Sequence, residues 1–489
     1  MNKTSVAVDA QEIAEGVPQR VVSVRLFRGN IHRLCTLALV EALVVMLAMH
    51  GAIFVRFNGF FSTFAAFEST SGAIWPRALL VAAVFLASLF ALGLYQLRHR
   101  SSFSGVLVRL VLAVLLAEAA LALVFYVLPA LFIGRGVTLL TGGFAFVGLA
   151  LTRFMFMRLV DEEIFKRRVL VWGGGSRAAF IARRLRRRTD QRGFRIVGYV
   201  RAPGDSAEVA EAKDTSGRGD LVRLALRHRV EEIVVAMDDR RAGGFPTAEL
   251  LECRLRGIRV SDVVTFLERE SGRVSVDLMH PSWLIFSNGF RCDFFRLTSK
   301  RAFDVAVSLG MLLATLPISL LTALAIWLED RGPIFYRQVR MGQNGRLFSI
   351  FKFRSMRVDA EQDGQAVWAM KDDARVTRVG AVIRKLRIDE LPQLFNVLVG
   401  HMSFVGPRPE RPQFVDQLAQ SIPFYPERHF VKPGITGWAQ VRYSYGASAR
   451  DAREKLEYDL YYVKHHTLAF DLMVLLQTVE IVLFRIGAR

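Results

Sequence analysis

Two adjacent carboxylates in a run of basic residues are the strongest chemical signal in this chain. They stand in Leu386-Arg387-Ile388-Asp389-Glu390-Leu391-Pro392-Gln393. Proline is favoured in the first turn of a helix, which places Asp389 and Glu390 near a helix N-terminus, where the macrodipole favours ionised carboxylates. An acidic first turn is ordinarily structural. Beside clustered cations the same pair could divide two tasks, one carboxylate attacking phosphorus while the other, Glu390, holds a hard divalent cation through oxygen. No Gly-x-Ser-x-Gly, P-loop or Cys-His arrangement competes.

The cations come from two further segments. In Phe351-Lys352-Phe353-Arg354-Ser355-Met356, aromatic and basic side chains alternate with the period of a strand. Phe351 and Phe353 would face a core, and Lys352 and Arg354 the opposite side, an arrangement that suits a diphosphate or simply a solvated face. In Gly406-Pro407-Arg408-Pro409-Glu410-Arg411-Pro412, prolines stiffen the backbone around Arg408 and Arg411, whose planar forks match phosphate oxygens. Lys432-Pro433-Gly434-Ile435-Thr436-Gly437-Trp438 is another tight turn, which could shape a nucleotide or sugar pocket or serve packing alone.

These residues need elements to hold them. Upstream lies Val305–Leu328, free of charge, with Pro317 at its centre and basic residues on both flanks. It is long enough to cross a bilayer, since about 20 apolar residues suffice. Cations on both sides, however, draw both ends to the cytoplasm. A proline bends a helix, so the segment reads as a re-entrant hairpin over 305–328, broken at Pro317. Leu468–Phe484 is apolar but carries Asp471 and Glu480, which makes it amphipathic.

The first third contains four apolar segments, at about 34–55, 77–95, 107–128 and 137–157. Basic residues gather before the first (Arg20, Arg25, Arg28, Arg33), between the second and third (Arg98, Arg100, Arg109), and after the fourth (Lys166, Arg167, Arg168). That bias places both ends of a four-helix transmembrane bundle in the cytoplasm. Glu41 and Glu118 intrude, and are read as paired or headgroup-facing carboxylates in preference to a transport path.

From Arg168 to about residue 285 short strands and helices alternate, the rhythm of a parallel sheet. The turn Gly173-Gly174-Gly175-Ser176 after the first strand resembles a dinucleotide fingerprint. The second strand, however, ends in Tyr199-Val200-Arg201, without an acid for a ribose hydroxyl. A degenerate Rossmann-like module is expected, and NAD(P) is not.

With 489 residues, about three modules are expected. Hydrophobic residues make up 52% of the chain, as in proteins with several membrane segments. The excess of 65 basic over 45 acidic residues sits beside apolar stretches and in the C-terminal third. That suits anionic lipids and phosphorylated substrates better than nucleic acid. Cys35, Cys253 and Cys292 are too scattered for a zinc site or a disulfide framework.

Taken in order, Lys300-Arg301-Ala302-Phe303-Asp304, the proline-broken hairpin, the Phe351–Met356 run, Asp389–Gln393, Gly406–Pro409 and Pro433–Trp438 resemble the bacterial sugar transferases. Those are monotopic phosphoglycosyl transferases of the polyprenyl-phosphate hexose-1-phosphate transferase type. The motifs cover about 299–485, and the N-terminal modules match the long form of that family. The family's hairpin often has Ser-Pro at the break, where this chain has Leu316-Pro317.

The resemblance implies a membrane protein of α plus α/β class. Its parts are a cytoplasmic segment (1–33), four transmembrane helices (34–160), a Rossmann-like cytoplasmic domain (165–290), and a monotopic α/β catalytic domain (299–489) with the re-entrant hairpin. The activity implied is transfer of a sugar 1-phosphate from a UDP-sugar to undecaprenyl phosphate, with release of UMP. Asp389 would be the nucleophile, forming a phosphosugar–aspartyl intermediate, and Glu390 the ligand of Mg²⁺ or Mn²⁺. Lys352, Arg354, Arg408 and Arg411 would take phosphates. The setting implied is the cytoplasmic face of a bacterial inner membrane, as a homodimer, among membrane lipids and downstream glycosyltransferases. Two other readings are a membrane-anchored nucleotide-sugar dehydratase or epimerase and an inactive assembly scaffold. The first lacks its Tyr-x-x-x-Lys pair here, and the intact Asp389-Glu390 pair argues against the second.

Overall fold

The computed structural model describes residues 25–57, 73–95, 103–159, 166–186, 191, 193–210, 212–214, 220–239, 245–279, 281–287, 289–290, 293–358, 375–443 and 448–484. Arg20, Arg98, Arg100, Cys292 and most of segment 1–33 lie outside them. The chain divides into two compact units, Met1–Leu86 with Ile133–Phe266, and Ala87–Phe132 with Leu267–Arg489.

Four apolar helices, α1 (Arg25–Arg56), α2 (Ile74–Ala91), α3 (Phe103–Val127) and α4 (Arg135–Leu159), correspond to the four expected segments. Each is long and apolar enough to cross a membrane. In the first unit α1 and α4 pack together. Glu41 of α1 is fully buried and paired with Arg153 of α4 at 2.6 Å, as a carboxylate in an apolar setting requires.

The first unit also holds a parallel sheet of order β3-β2-β1-β4-β5, formed by β1 (Arg167–Trp172), β2 (Phe194–Arg201), β3 (Lys213–Asp214), β4 (Glu232–Val235) and β5 (Arg259–Asp262). Helices α5 (Ser176–Arg184), α6 (Asp220–Arg227) and α7 (Thr247–Leu255) connect the strands. β4 is buried at every position, as a central parallel strand covered on both faces should be. Its Ile233 and Val235 share a core with Leu170 and Trp172 of β1.

Helix α8 (Val263–Ser271) leads out of the sheet. The sequence grouped residues up to 290 with the sheet module, but from Leu267 onward the chain packs with the second unit. Glu268 accepts a bond from Lys464 at 2.8 Å, Trp438 donates to the Gly272 carbonyl at 2.7 Å, and Val274 N–H donates to the Glu457 carbonyl at 3.0 Å.

A short helix α9 (Pro281–Phe286) precedes α10 (Phe294–Asp330), which carries Pro317 in its interior. The expected break is absent, because the chain stays helical through the proline. The fold-back is nevertheless present. Arg301 donates to the Val397 and Leu398 carbonyls at the end of α12 (Gln393–Val399), at 2.6 and 2.5 Å. Ile326 shares a small core with Phe353 and Ile383, against which Leu391, just before α12, also packs. A straight helix would separate Arg301 from Ile326 by about 37 Å, whereas α12 is only about 10 Å long. The helix therefore bends back between them, where proline removes a backbone donor and crowds the preceding turn. Along the bend Leu313, Leu316, Leu320, Leu321 and Leu324 are exposed.

The rest of the second unit surrounds the base of α10. β6 (Phe335–Met341) and β7 (Leu347–Phe353) form an antiparallel hairpin, and β8 (Ser403–Val405) pairs in parallel with β9 (Gly434–Thr436). Helices α11 (Arg378–Lys385), α12, α13 (Pro412–Ser421), α14 (Trp438–Arg442), α15 (Ala449–His465) and α16 (Leu468–Phe484) enclose them. The Lys300–Asp304 motif ties α10 into this body. Lys300 binds Asp471 of α16 at 2.5 Å and the Val405 carbonyl at 3.2 Å, while Asp304 accepts from Ser403 Oγ and Phe404 N–H, both at 3.1 Å. Asp471 thus faces inward, and α16 rests on the core and on α3.

Candidate active site

Three segments far apart in sequence meet at Glu390. β7 delivers Lys352, and its register to α12 is fixed by Asn396, which accepts from Phe351 N–H at 3.0 Å and donates to the Ser349 carbonyl at 2.7 Å. The carboxylates lie in a 3₁₀ turn, Ile388–Glu390, just before α12, near a helix N-terminus as expected. Arg387, which opens that turn, has φ of 60°. A left-handed conformation costs a non-glycine residue about 1–2 kcal/mol, so the surrounding packing must hold it. β8 leads into the third segment. Gly406 N–H donates to the Thr436 carbonyl and Gly434 N–H to the Pro407 carbonyl, both at 2.9 Å. A Cβ at Gly406 would overlap the Lys432 carbonyl, so only glycine lets the two strand ends approach this closely.

Asp389 and Glu390 are each 9% exposed. Glu390 Oε1 lies 3.5 Å from Lys352 Nζ and 3.5 Å from Arg408 Nη2, and Oε2 lies 3.5 Å from Arg387 Nε. Burial alone would raise the Glu390 carboxyl, but Arg408, Lys352 and Arg387 outweigh it and hold the group below its ordinary range. Asp389 is pushed the other way. Its burial raises it, Lys352 offsets only part of that, and the neighbouring Glu390 charge adds to the rise. Lys352 is lowered by burial, partly countered by Glu390. Beside this group a small pocket is lined by Arg340, Ile350, Lys352, Gln393, Arg408 and Pro409, a concentration of positive charge suited to an anion.

The sequence-derived residues separate here. Asp389, Glu390, Lys352 and Arg408 come together. Arg354 does not join them. β7 ends at Phe353, so the alternation that placed Arg354 beside Lys352 no longer applies. Its buried side chain turns to Asp330 at the end of α10. Arg411 stands at the N-cap position of α13, and its charge acts on Arg340. Pro317 lies in the bend of α10, away from the carboxylates.

Two neighbours were missed. Arg387 was within reach of sequence reasoning as the i−3 partner of Glu390. Arg340 was not, because it enters from β6 through a bond to the Pro409 carbonyl at 3.1 Å.

The glycine-rich turn of the first unit is already satisfied internally. Asp205 accepts from Gly174 N–H at 2.8 Å. Asp238 accepts from Ser176 N–H at 2.8 Å and from Arg177 N–H at 2.9 Å. These are the donors that a pyrophosphate would need at a helix N-terminus. Arg201 packs its side chain over Gly174. The backbone donors of this turn are therefore engaged within the protein.

Among known proteins, residues 295–485 match the family model described as bacterial sugar transferase, and residues 90–242 one described as a CoA-binding domain. The UDP-N-acetylgalactosamine-undecaprenyl-phosphate N-acetylgalactosaminephosphotransferase of Aeromonas hydrophila is 43% identical over 261 residues, 53% of this chain and 61% of that one. The undecaprenyl-phosphate glucose phosphotransferase of Komagataeibacter xylinus is 36% identical over 323 residues, 64% of this chain and 58% of that one. The exopolysaccharide production protein PSS of Rhizobium leguminosarum bv. phaseoli is 41% identical over 191 residues, 37% of this chain and 94% of that one.

The chain thus spans about 60% of the length of the two longer relatives and nearly all of the short one. The matched residues 295–485 take in nearly all of the bent apolar helix and the α/β body with its buried Asp-Glu pair. The chain belongs to the bacterial sugar transferase family.

Proposed function

We propose that this protein transfers a sugar 1-phosphate from a UDP-sugar to undecaprenyl phosphate, releasing UMP, as the initiating step of exopolysaccharide or related glycan synthesis. The observation that carries the reading is the buried Asp389-Glu390 pair set among Lys352, Arg387 and Arg408. The names of the longer relatives specify this class of reaction, with N-acetylgalactosamine in one and glucose in the other.

Asp389 is the proposed nucleophile. Its carboxylate oxygen attacks the phosphorus that bears the sugar. An Asp–O–P bond forms as the bond to the bridging oxygen breaks, and that oxygen leaves with UMP. An oxygen of undecaprenyl phosphate then attacks the same phosphorus and the Asp389 carboxylate departs, leaving a lipid diphosphate sugar. The two displacements let the large substrates use the site in turn. Phosphoryl transfer asks chiefly for positioning and neutralised charge. Lys352, Arg408 and, in the adjoining pocket, Arg340 supply these.

Among the described residues no group of three or more His, Cys, Asp or Glu side chains could cage a metal. Two adjacent carboxylates do fit Mg²⁺ or Mn²⁺, because Mg²⁺ is typically bound through one or two carboxylates, waters and substrate phosphates. Glu390 would be its ligand. When bound, the ion would neutralise diphosphate charge.

In this reading α1–α4 span the bacterial inner membrane, and the exposed apolar bend of α10 dips into it and returns to the cytoplasmic face. The carboxylates then meet a lipid phosphate at headgroup depth. The test is to incubate purified protein with Mg²⁺, undecaprenyl phosphate and a panel of UDP-sugars. Release of UMP with formation of a lipid-linked sugar diphosphate is expected for at least one sugar, and no release from any of them would refute the assignment.

A further inference from the structure

Arg428 and Asp459 form a fully internal ion pair with no part in the chemistry just described. Arg428 lies in the 3₁₀ turn Pro426–Phe430 and Asp459 in the middle of α15. They are 5% and 1% exposed. The Arg428 Nε and Nη2 atoms both donate to Asp459 Oδ2, at 3.1 and 2.7 Å, and Nη1 donates to the Tyr425 hydroxyl at 2.9 Å. A buried pair of this kind is often no more stabilising than apolar residues of the same volume. Stability alone is therefore a weak account of it.

The remaining bond supplies another. Arg428 Nη2 also donates to the backbone carbonyl of Arg408, at 3.2 Å. That carbonyl sits between Pro407 and Pro409. Pro409 has no N–H and confines Arg408 to extended backbone. The next carbonyl, of Pro409, is held by Arg340 at 3.1 Å. With both carbonyls gripped, the root of the Arg408 side chain has little freedom, and its guanidinium reaches Glu390.

We infer that Arg428, anchored by Asp459, is a positioning residue that fixes the Pro407–Pro409 turn and so holds Arg408 against Glu390. It acts through Arg408 and touches neither carboxylate of the reacting pair. The inference rests on the transferase reading, since the quantity it governs is transfer rate.

The test compares full-length variants by melting temperature and by kcat and KM for UMP release. Arg428→Met with Asp459→Leu removes both charges together, which avoids stranding one of them in the interior. This double variant should melt within a few degrees of wild type, yet lose about 10- to 100-fold in kcat/KM, the scale of an ångström-level misplacement. Added to Arg408→Ala, it should cause little further loss. Unchanged kcat/KM in the folded double variant, or losses that multiply with Arg408→Ala, would overturn the inference.

Should the double variant fail to fold, Arg428→Lys gives the same comparison. Lysine keeps the charge beside Asp459 but lacks the fork that bridges to the Arg408 carbonyl. Its loss of kcat/KM should likewise vanish in the Arg408→Ala background, and wild-type kcat/KM or multiplying losses would again overturn the inference. An active wild type with an unimpaired Arg408→Ala would refute the role given to Arg408. An impaired Arg408→Ala beside unimpaired pair variants would refute only the positioning claim.

Discussion

Asp389 and Glu390 are consecutive residues with equal exposure, yet their carboxyls are displaced in opposite directions on the pH scale. Burial prevails at Asp389, while three cations prevail at Glu390. Adjacent acids separated in this way are suited to different roles. An ionised, incompletely compensated Asp389 is costly to keep. Asp389→Asn should therefore abolish UMP release while leaving the melting temperature at neutral pH unchanged or higher. Full turnover by this variant would remove Asp389 from the mechanism.

The same shift has a pH signature. Asp389 must be ionised to attack, and its carboxyl is raised, so acidification protonates it before an ordinary aspartate. The acid limb of kcat/KM should then lie above the usual aspartate range, and the limb reports the free enzyme. Lys352 lowers the Asp389 carboxyl. Lys352→Met should consequently move the limb to higher pH while also reducing the rate. A limb that stayed in place would separate Lys352 from Asp389.

Arg354 and Arg408 should behave differently although both were candidates for phosphate. Arg354→Met removes the ion pair with Asp330, whose exposed carboxylate keeps its bond from Gly332 N–H, and should cost only about 0–1 kcal/mol of stability, with KM for the UDP-sugar little changed. Arg408→Met should impair transfer and, because Arg408 is foremost among the cations that compensate the buried Glu390, should also lower the melting temperature. Steady-state kinetics on the two proteins decide the matter, and an Arg354 variant with raised KM would place Arg354 among the phosphate ligands.

Arg354 marks where sequence reading stops. The four apolar helices, the strands and helices of the sheet module, and the bend at Pro317 all follow from local patterns, because hydrophobic period and proline chemistry act over a few residues. The strand carrying Lys352 was equally legible. Arg354 was misplaced because the strand ends one residue earlier and its partner lies on another element. Arg340 and Arg428 were invisible for a related reason. Both act on backbone carbonyls of the Pro407–Pro409 turn, and no spacing in the chain encodes that meeting.

The glycine-rich turn makes a separate prediction. With Asp205 and Asp238 occupying its backbone donors, titration calorimetry of the protein with NAD⁺, NADP⁺ or coenzyme A should give no binding attributable to this turn. Binding of any of the three that Asp238→Arg abolished would show that the carboxylates are displaced by a ligand.

The covalent step can be observed directly. Protein mixed with Mg²⁺ and a competent UDP-sugar, with undecaprenyl phosphate withheld, should release close to one UMP per active site. It should gain the mass of a sugar phosphate on the peptide containing Asp389, and the adduct should discharge when undecaprenyl phosphate is added. UMP release that begins only when the lipid phosphate is present, with no adduct on that peptide, would contradict the aspartyl intermediate and point to direct transfer between the two substrates.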